Sequence, residues 1–264
     1  MNLDSPAGPV LYLSGVTVTF DGFRALDELS LFVEQGELRT IIGPNGAGKT
    51  TLFNLISGLL QPNAGQVLFR GRDITGLPAH EISRLGIKRT LQVKSVFAQL
   101  TVAENLWITF EGSKRFLHPL RDAESDPVAR ERVEQTLEQI GLAALARRQA
   151  GTLSYGDVAL LEIGMALISD PQLLLLDEPT CGMSPAETER AVAKIREMAR
   201  TIDIIIIEHD MTVVFGIADA ITVMAQGAIL ASGTAKEISE DERVREAYLG
   251  RPEDEDYVEE AVHA

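Results

Sequence analysis

The spacing of apolar residues divides the chain into parts with strand-like patterns and one part without them. Up to about residue 92, and again from about residue 154, short apolar runs alternate with stretches that have helical spacing. Strands that alternate with helices are typical of α/β folds. We therefore predict an α/β fold with a mixed, mainly parallel sheet and an antiparallel β subdomain.

The N-terminal segment has the alternating pattern of a half-buried strand. Apolar residues alternate from Leu11 to Phe20, and their parity changes at Ser14-Gly15. A change of parity at a glycine indicates a β-bulge. Asp21-Gly22 is predicted to form the next turn, and Leu29–Val33 the returning strand.

Two continuous apolar runs have the pattern of strands buried on both faces. They are Leu173–Leu176 and Ile204–Ile207, and such runs are typical of parallel sheets. Further on, Ile221–Met224 and Ala228–Ala231 flank a short turn, and we predict that they form a terminal hairpin.

Helix starts are marked by two capping boxes, in which a hydroxyl residue is followed three positions later by Glu. Ser184 and Glu187 form the first box and open a helix predicted to run through Arg200. Thr234 and Glu237 form the second. Both signals place helices in the second strand-bearing part of the chain.

Between about Val93 and Leu153 the strand signals stop. Pro127 is placed as the first residue of a helix after Asp126, and Gly141 is predicted to end it. We predict one domain over residues 1–250, with a core of about 8–92 and 154–250 and an inserted α-helical subdomain of about 93–153. The acidic tail, residues 251–264, is expected to be disordered.

Composition excludes several classes of function. The net charge of −15 over 264 residues argues against nucleic acid as the main partner, because phosphate backbones require clustered Lys and Arg. The single cysteine, Cys181, excludes an internal disulfide and favours a reducing compartment. No apolar run spans a bilayer and no signal peptide is apparent, so we expect a cytosolic chain that reaches a membrane only through a partner.

A glycine-rich segment between a predicted strand and a predicted helix carries the chemistry. Gly43–Thr50 has the spacing G-x-x-x-x-G-K-T, after Leu38–Ile42 and before the helical stretch Thr51–Leu60. Glycines let backbone N–H groups approach phosphate oxygens, and the helix directs its positive end to the same anion. We predict a nucleoside triphosphate site of the P-loop type, with Thr50 as a Mg²⁺ ligand. Its nucleotide-binding residues are Gly43, Asn45, Gly46, Gly48, Lys49, Thr50 and Thr51.

Polar residues follow two of the predicted parallel strands. Ligands bind beyond the carboxyl ends of such strands. Asp177 is predicted to hold Mg²⁺, and Glu178 to activate a water for attack on the γ-phosphate. His209 is predicted to stabilise the transferring phosphoryl group or to fix that water, although a histidine at a strand end is often only a turn residue. Together with the phosphate loop, these residues predict phosphoryl transfer.

The segment Leu153-Ser154-Tyr155-Gly156-Asp157 resembles the signature Leu-Ser-Gly-Gly-Gln of ATP-binding-cassette (ABC) transporter ATPases, and the resemblance extends over residues 10 to 249. It implies that Gln92 senses Mg²⁺ and the attacking water. It also implies that Phe20 stacks on adenine, against the alternative of a core aromatic residue. Ser154 and Gly156 would contact the γ-phosphate held by an opposed subunit, and residues 182–184 would line the contact between the two subunits.

The signature segment departs from the family pattern at Tyr155 and Asp157. The alternative role of Ser154 is a helix N-cap, which is compatible with the functional one because both present donors to an anion. A carboxylate near a γ-phosphate is unfavourable unless it points away. We therefore hypothesise that Asp157 alters the contribution of this chain to the partner's site.

Four stretches are most similar to ATPase subunits of importers for branched-chain amino acids: residues 41–60, 161–167, 177–188 and 206–211. Urea importers share much of this pattern. The resemblance implies a second ATPase subunit, identical or not, two membrane permease subunits and an external solute-binding protein. It places the chain on the cytoplasmic face of the cell membrane. Residues 92–97 and the helical subdomain would receive a permease helix, with Val93, Val96 and Phe97 as apolar contacts or core residues.

Two alternatives to a transport ATPase remain at this point. A cassette ATPase that acts on ribosomes or DNA usually carries tandem cassettes, a coiled-coil insertion or basic arms, which the sequence lacks. A non-hydrolysing nucleotide switch is disfavoured by Glu178 and His209. The sequence does not identify the solute.

Overall fold

The computed structural model describes residues 8–90, 96–112 and 126–248, which form ten strands and nine α-helices. The strands are β1 Leu11–Phe20, β2 Phe23–Val33, β3 Leu38–Ile42, β4 Ala64–Phe69, β5 Arg72–Asp73, β6 Ile87–Arg89, β7 Leu173–Asp177, β8 Asp203–Ile207, β9 Ala220–Ala225 and β10 Ala228–Gly233. The helices are α1 Lys49–Ile56, α2 Ala79–Arg84, α3 Val102–Gly112, α4 Pro127–Gln139, α5 Tyr155–Leu167, α6 Pro185–Ala199, α7 Met211–Ile217, α8 Ala235–Glu240 and α9 Glu242–Tyr248.

The strands form two sheets of different character. The larger sheet has the order β10-β9-β3-β8-β7-β6, and only its β9–β10 hairpin is antiparallel. The smaller sheet, β2-β1-β4-β5, is antiparallel throughout. The predicted fold class, a mainly parallel sheet with an antiparallel β subdomain, is confirmed.

The continuous apolar runs are explained by burial on both faces of the larger sheet. On β7, Leu173 and Leu175 pack with β1, β2 and α1, while Leu174 and Leu176 pack with α3 to α6. The isoleucines of β8 alternate in the same way. Neither face of β7 or β8 contacts water, and no polar position interrupts the apolar run of either strand.

The N-terminal hairpin confirms the predicted bulge but not the predicted start of its second strand. The register of β1 against β2 shifts between Leu13 and Val16, and Gly15 has a φ of 55°. The second strand begins at Phe23, not at Leu29. Glu28, with a φ of 47°, lies at an irregularity that interrupts the alternation, so the pattern hid the first half of the strand.

Helix boundaries follow local stop and start signals. The helix predicted over Thr51–Leu60 spans only Lys49–Ile56, because Gly58 follows with a φ of 72°. Both capping boxes are confirmed, and Asp126 caps α4 with Pro127 at its first position. Among the described residues, no helix has the length and apolar character required to cross a bilayer.

Candidate functional site

Three adjacent parallel strands end at the same edge of the larger sheet. The phosphate loop follows β3, His209 lies just beyond β8, and Glu178 follows β7. The Nδ1 atom of His209 lies 3.7 Å from Oε1 of Glu178. The topology thus brings together three of the groups that the sequence predicts for one site.

The phosphate loop is held by close backbone packing. A Cβ atom at Gly43 would collide with the carbonyl oxygen of Met224, so a side chain does not fit there. Gly48, with a φ of 99°, begins α1, and a Cβ there would lie 2.6 Å from the carbonyl oxygen of Ala25. These contacts fix the loop between β9 and the antiparallel sheet.

Lys49 lies over the loop that precedes it. Its Nζ donates to the carbonyl oxygens of Gly43 at 2.5 Å and Pro44 at 3.1 Å. Burial lowers the pKa of Lys49, while the carboxylates of Glu178 and Asp177 oppose this shift. The lysine therefore shares an electrostatic environment with both predicted acidic residues of the site.

Asp177 has one carboxylate oxygen engaged and one without a partner. Oδ2 accepts from Nη2 of Arg89 at 2.7 Å, and the side chain is only 1% exposed. Oδ1 is buried, and no hydrogen bond from the described residues reaches it. A buried carboxylate oxygen without a donor is costly, so this atom fits a cation or its bound water. Within the described ranges there is no group of three or more acidic, His or Cys side chains that could hold a metal ion.

Glu178 has an unusual backbone conformation. Its φ is 49°, in the left-handed region that a residue with a Cβ rarely adopts, and its N–H donates to the carbonyl oxygen of Ile207 at 2.9 Å. Strained residues of this kind are concentrated at functional sites. The conformation fixes a half-buried carboxylate next to His209.

Two polar residues that the sequence analysis missed fix the strand ends. Glu208 is 1% exposed, and its Oε1 accepts from the N–H and hydroxyl of Thr180 at 3.1 and 2.5 Å. Arg89 contacts Asp177, donates to Oδ1 of Asn54 at 2.6 Å and lies over the ring of Phe53. Arg89 follows Lys88, and Glu208 precedes His209 and Asp210, so the sequence alone does not reveal their partners.

The start of α5 is capped from two directions. Oγ of Ser154 accepts from the N–H of Asp157 at 3.2 Å, as an N-cap does. The N–H of Gly156 donates to Oε1 of Glu187 on α6 at 3.1 Å, and the hydroxyl of Ser154 helps to lower the pKa of Glu187. Asp157 is paired with Arg190 of α6. In the described part of the chain, Gly156 is therefore connected to α6 and Ser154 to its own helix, and neither is hydrogen-bonded to the phosphate loop.

The remaining predicted residues have different outcomes. Phe20 is 45% exposed, which excludes the alternative of a core aromatic residue. Val96 packs against the helical core, whereas Phe97 is 50% exposed. Gln92 and Val93 lie outside the described residues, as does the acidic tail.

Comparison with protein families decides the assignment. The profile of the ABC transporter family matches residues 26–181, more than half of the chain. The chain belongs to this family. Residues 228–254 of this ABC protein also match a family described as branched-chain amino acid ATP-binding cassette transporter. The expectation of an ABC ATPase is confirmed.

Relatives of this ABC protein carry consistent descriptions. It is 40% identical over 251 residues to the high-affinity branched-chain amino acid transport ATP-binding protein BraF of Pseudomonas aeruginosa, covering 92% of this chain and 98% of that one. The corresponding protein LivG of Escherichia coli K12 is 39% identical over 254 residues, with the same coverage.

Solved structures show the same fold. An ATP-binding cassette of an ABC transporter in its ADP conformation has a TM-score of 0.81 at 33% identity, covering 92% of this chain and 99% of that chain. A nucleotide-free cassette has a TM-score of 0.78 at 32% identity, covering 96% and 98%.

Proposed function

We propose that this chain is the ATP-hydrolysing subunit of an importer for branched-chain amino acids or a related small polar solute. The observation that carries the proposal is the convergence of the phosphate loop, Glu178 and His209 at one sheet edge. The names of the relatives support the class of solute.

Each site residue has a proposed role. ATP phosphates lie in the loop from Gly43 to Thr51, bound by backbone N–H groups, Lys49 and the α1 dipole. Thr50, Oδ1 of Asp177 and Gln92 are the proposed groups around Mg²⁺, which when bound neutralises phosphate charge. We propose that Phe20 stacks on adenine and that Asn45, Gly46 and Gly48 contact the nucleotide.

Glu178 is the proposed general base, and Gln92 is a further proposed catalytic residue. Its carboxylate accepts a proton from the attacking water, and His209 at 3.7 Å holds the water or the transferring group in place. The unusual φ of Glu178 supports this role, because it fixes the carboxylate without help from a flexible loop.

The proposed assembly contains a second ATPase subunit, identical or not. Ser154 and Gly156 of one copy face the γ-phosphate in the phosphate loop of the other, with residues 182–184 at the contact. Permease subunits hold the pair at the cytoplasmic face of the cell membrane, docked on the helical subdomain of about 93–153, and a solute-binding protein acts outside. The net charge of −15 disfavours the ribosome or nucleic acid as the target.

Glu178→Gln tests the chemistry. We expect ATP hydrolysis to fall by at least about 100-fold, the usual contribution of a positioned base, while ATP affinity changes by no more than a few-fold. Glu134→Gln, at an exposed position on α4, serves as the control and should match the parent. Turnover of Glu178→Gln at the parent rate would refute the assigned role.

A further inference from the structure

The carboxylate of Glu187 bridges the starts of two helices. Its Oε2 accepts from the N–H and hydroxyl of Ser184 at 3.0 and 2.7 Å, which completes the capping box of α6. Its Oε1 accepts from the N–H of Gly156 at 3.1 Å, and the nearby hydroxyl of Ser154 helps to lower the pKa of the same carboxyl group. One side chain thus uses its two oxygens for two separate tasks.

The donor that reaches Oε1 is the N–H of Gly156, one of the two residues that the proposed function assigns to the partner's γ-phosphate. A carboxylate and a phosphate are both oxyanions, and the start of α5 favours either through its N–H groups and dipole. One donor set cannot fully satisfy both anions at once. In the single chain, an internal anion already occupies the N–H of Gly156.

We propose that Glu187 is an intramolecular substitute for the γ-phosphate, which the nucleotide of the opposed subunit must displace before the ATP sandwich closes. The inference rests on the proposed function of Ser154 and Gly156. It makes Glu187 a residue that sets the ATP concentration needed for association without contacting the reacting atoms.

Packing and charge both indicate that moving the carboxylate of Glu187 away from the start of α5 costs free energy. A Cβ at Gly156 would lie 2.9 Å from Cβ of Glu187, so the glycine allows the close approach of α6. Hydrogen bonds from Ser184, Ser154 and Gly156 lower the pKa of Glu187 to about 2, so the group is an anion at neutral pH. Because Oε2 alone holds Ser184, Oε1 can release α5 while α6 keeps its cap.

The second capping box provides a matched control. Oε2 of Glu237 accepts from the N–H and hydroxyl of Thr234 at 2.8 and 3.0 Å, the same arrangement as in the first box. The hydrogen bonds that lower the pKa of Glu237 come from Thr234 alone. Glu237→Gln therefore changes a capping carboxylate that does not face α5.

The experiment measures ATP-driven association in a Glu178→Gln background, by light scattering during titration with Mg·ATP. We expect Glu187→Gln to lower the half-maximal ATP concentration by about tenfold, the equivalent of one charge-assisted hydrogen bond. Glu237→Gln should leave it unchanged. A merely structural role of Glu187 would raise this concentration or leave it unchanged. If Glu187→Gln does not fold, Glu187→Ala replaces it with the same expectation.

Ser154→Ala separates the two levels of the argument. Suppose that Ser154→Ala weakens association while the Glu187 variants associate at the same ATP concentration as the parent. Then Glu187 does not stand in for the γ-phosphate, and the proposed role of the α5 start is retained. If neither Ser154→Ala nor the Glu187 variants change association, the α5 start does not contact the partner's γ-phosphate. The proposed role of Glu187 then fails as well. An unchanged or higher ATP requirement in Glu187→Gln overturns the inference in either case.

Discussion

The phosphate loop and the start of α5 are two anion-binding regions that are built in different ways. The phosphate loop is contiguous in sequence, and its groups lie in one strand–turn–helix unit from β3 to α1. The start of α5 obtains its side-chain contacts from α6, where Glu187 and Arg190 lie about thirty residues further along the chain.

This difference separates a local signal from a tertiary one. A contiguous unit specifies its geometry through residue types such as glycine at fixed spacing. A helix start whose donors are occupied from another helix depends on packing that no short pattern encodes. The phosphate loop can therefore be recognised from its own sequence, whereas the contacts of the α5 start cannot.

The largest expected effect comes from a substitution in the phosphate loop. Gly43→Ala places a Cβ against the carbonyl oxygen of Met224 at the junction of β3 and β9. We expect the free energy of unfolding to fall by about 2–5 kcal/mol and ATP affinity to fall by at least about tenfold. Denaturant unfolding and ATP titration measure both quantities.

Gly216→Ala is the control for that substitution. Gly216 lies on α7, and a Cβ there has open space around it. Alanine at this position should raise the free energy of unfolding by up to about 1 kcal/mol, because alanine favours helix, and leave ATP affinity unchanged. Equal losses of stability and ATP affinity in the two variants would show that the close contact of Gly43 with Met224 is not the cause.

The sequence predicted the elements of this fold better than their connections. The buried strands β7 and β8 and both capping boxes followed from residue patterns, because burial on both faces and cap chemistry are local. The first half of β2 was missed because Glu28 interrupts the alternation. The positive φ of Glu178 and the contacts of Glu208 depend on neighbouring strands, so no pattern within one segment encodes them.

A smaller effect is expected at the distant contact of α5. Asp157 is paired with Arg190, whose side chain is 50% exposed, so a double-mutant cycle should give a coupling of only about 0.2–1 kcal/mol in stability. This pairing also bears on the hypothesis that Asp157 alters the partner's site, because Arg190 offsets the charge of the carboxylate.

The rate of ATP hydrolysis in the assembled complex tests whether Arg190 offsets the charge of Asp157. Arg190→Ala leaves the carboxylate of Asp157 without this cation, and we expect it to slow ATP turnover by a few-fold. Combining it with Asp157→Gln removes the charge and should restore the rate. If the double variant stays as slow as Arg190→Ala alone, the charge of Asp157 does not act on the partner's nucleotide.

The central claim is that ATP joins the phosphate loop of one copy to the start of α5 of another, and cross-linking tests it most directly. In a Glu178→Gln, Cys181→Ser background, one preparation carries Asn45→Cys and a second carries Tyr155→Cys, both at exposed positions. Because Asn45 is a proposed nucleotide contact, titration first establishes the Mg·ATP concentration that saturates Asn45→Cys, and cross-linking is done at that concentration. The account predicts that a short thiol cross-linker joins the two different chains when Mg·ATP is present and not when it is absent. Cross-links between two Tyr155→Cys chains, with none between the different chains, would contradict it.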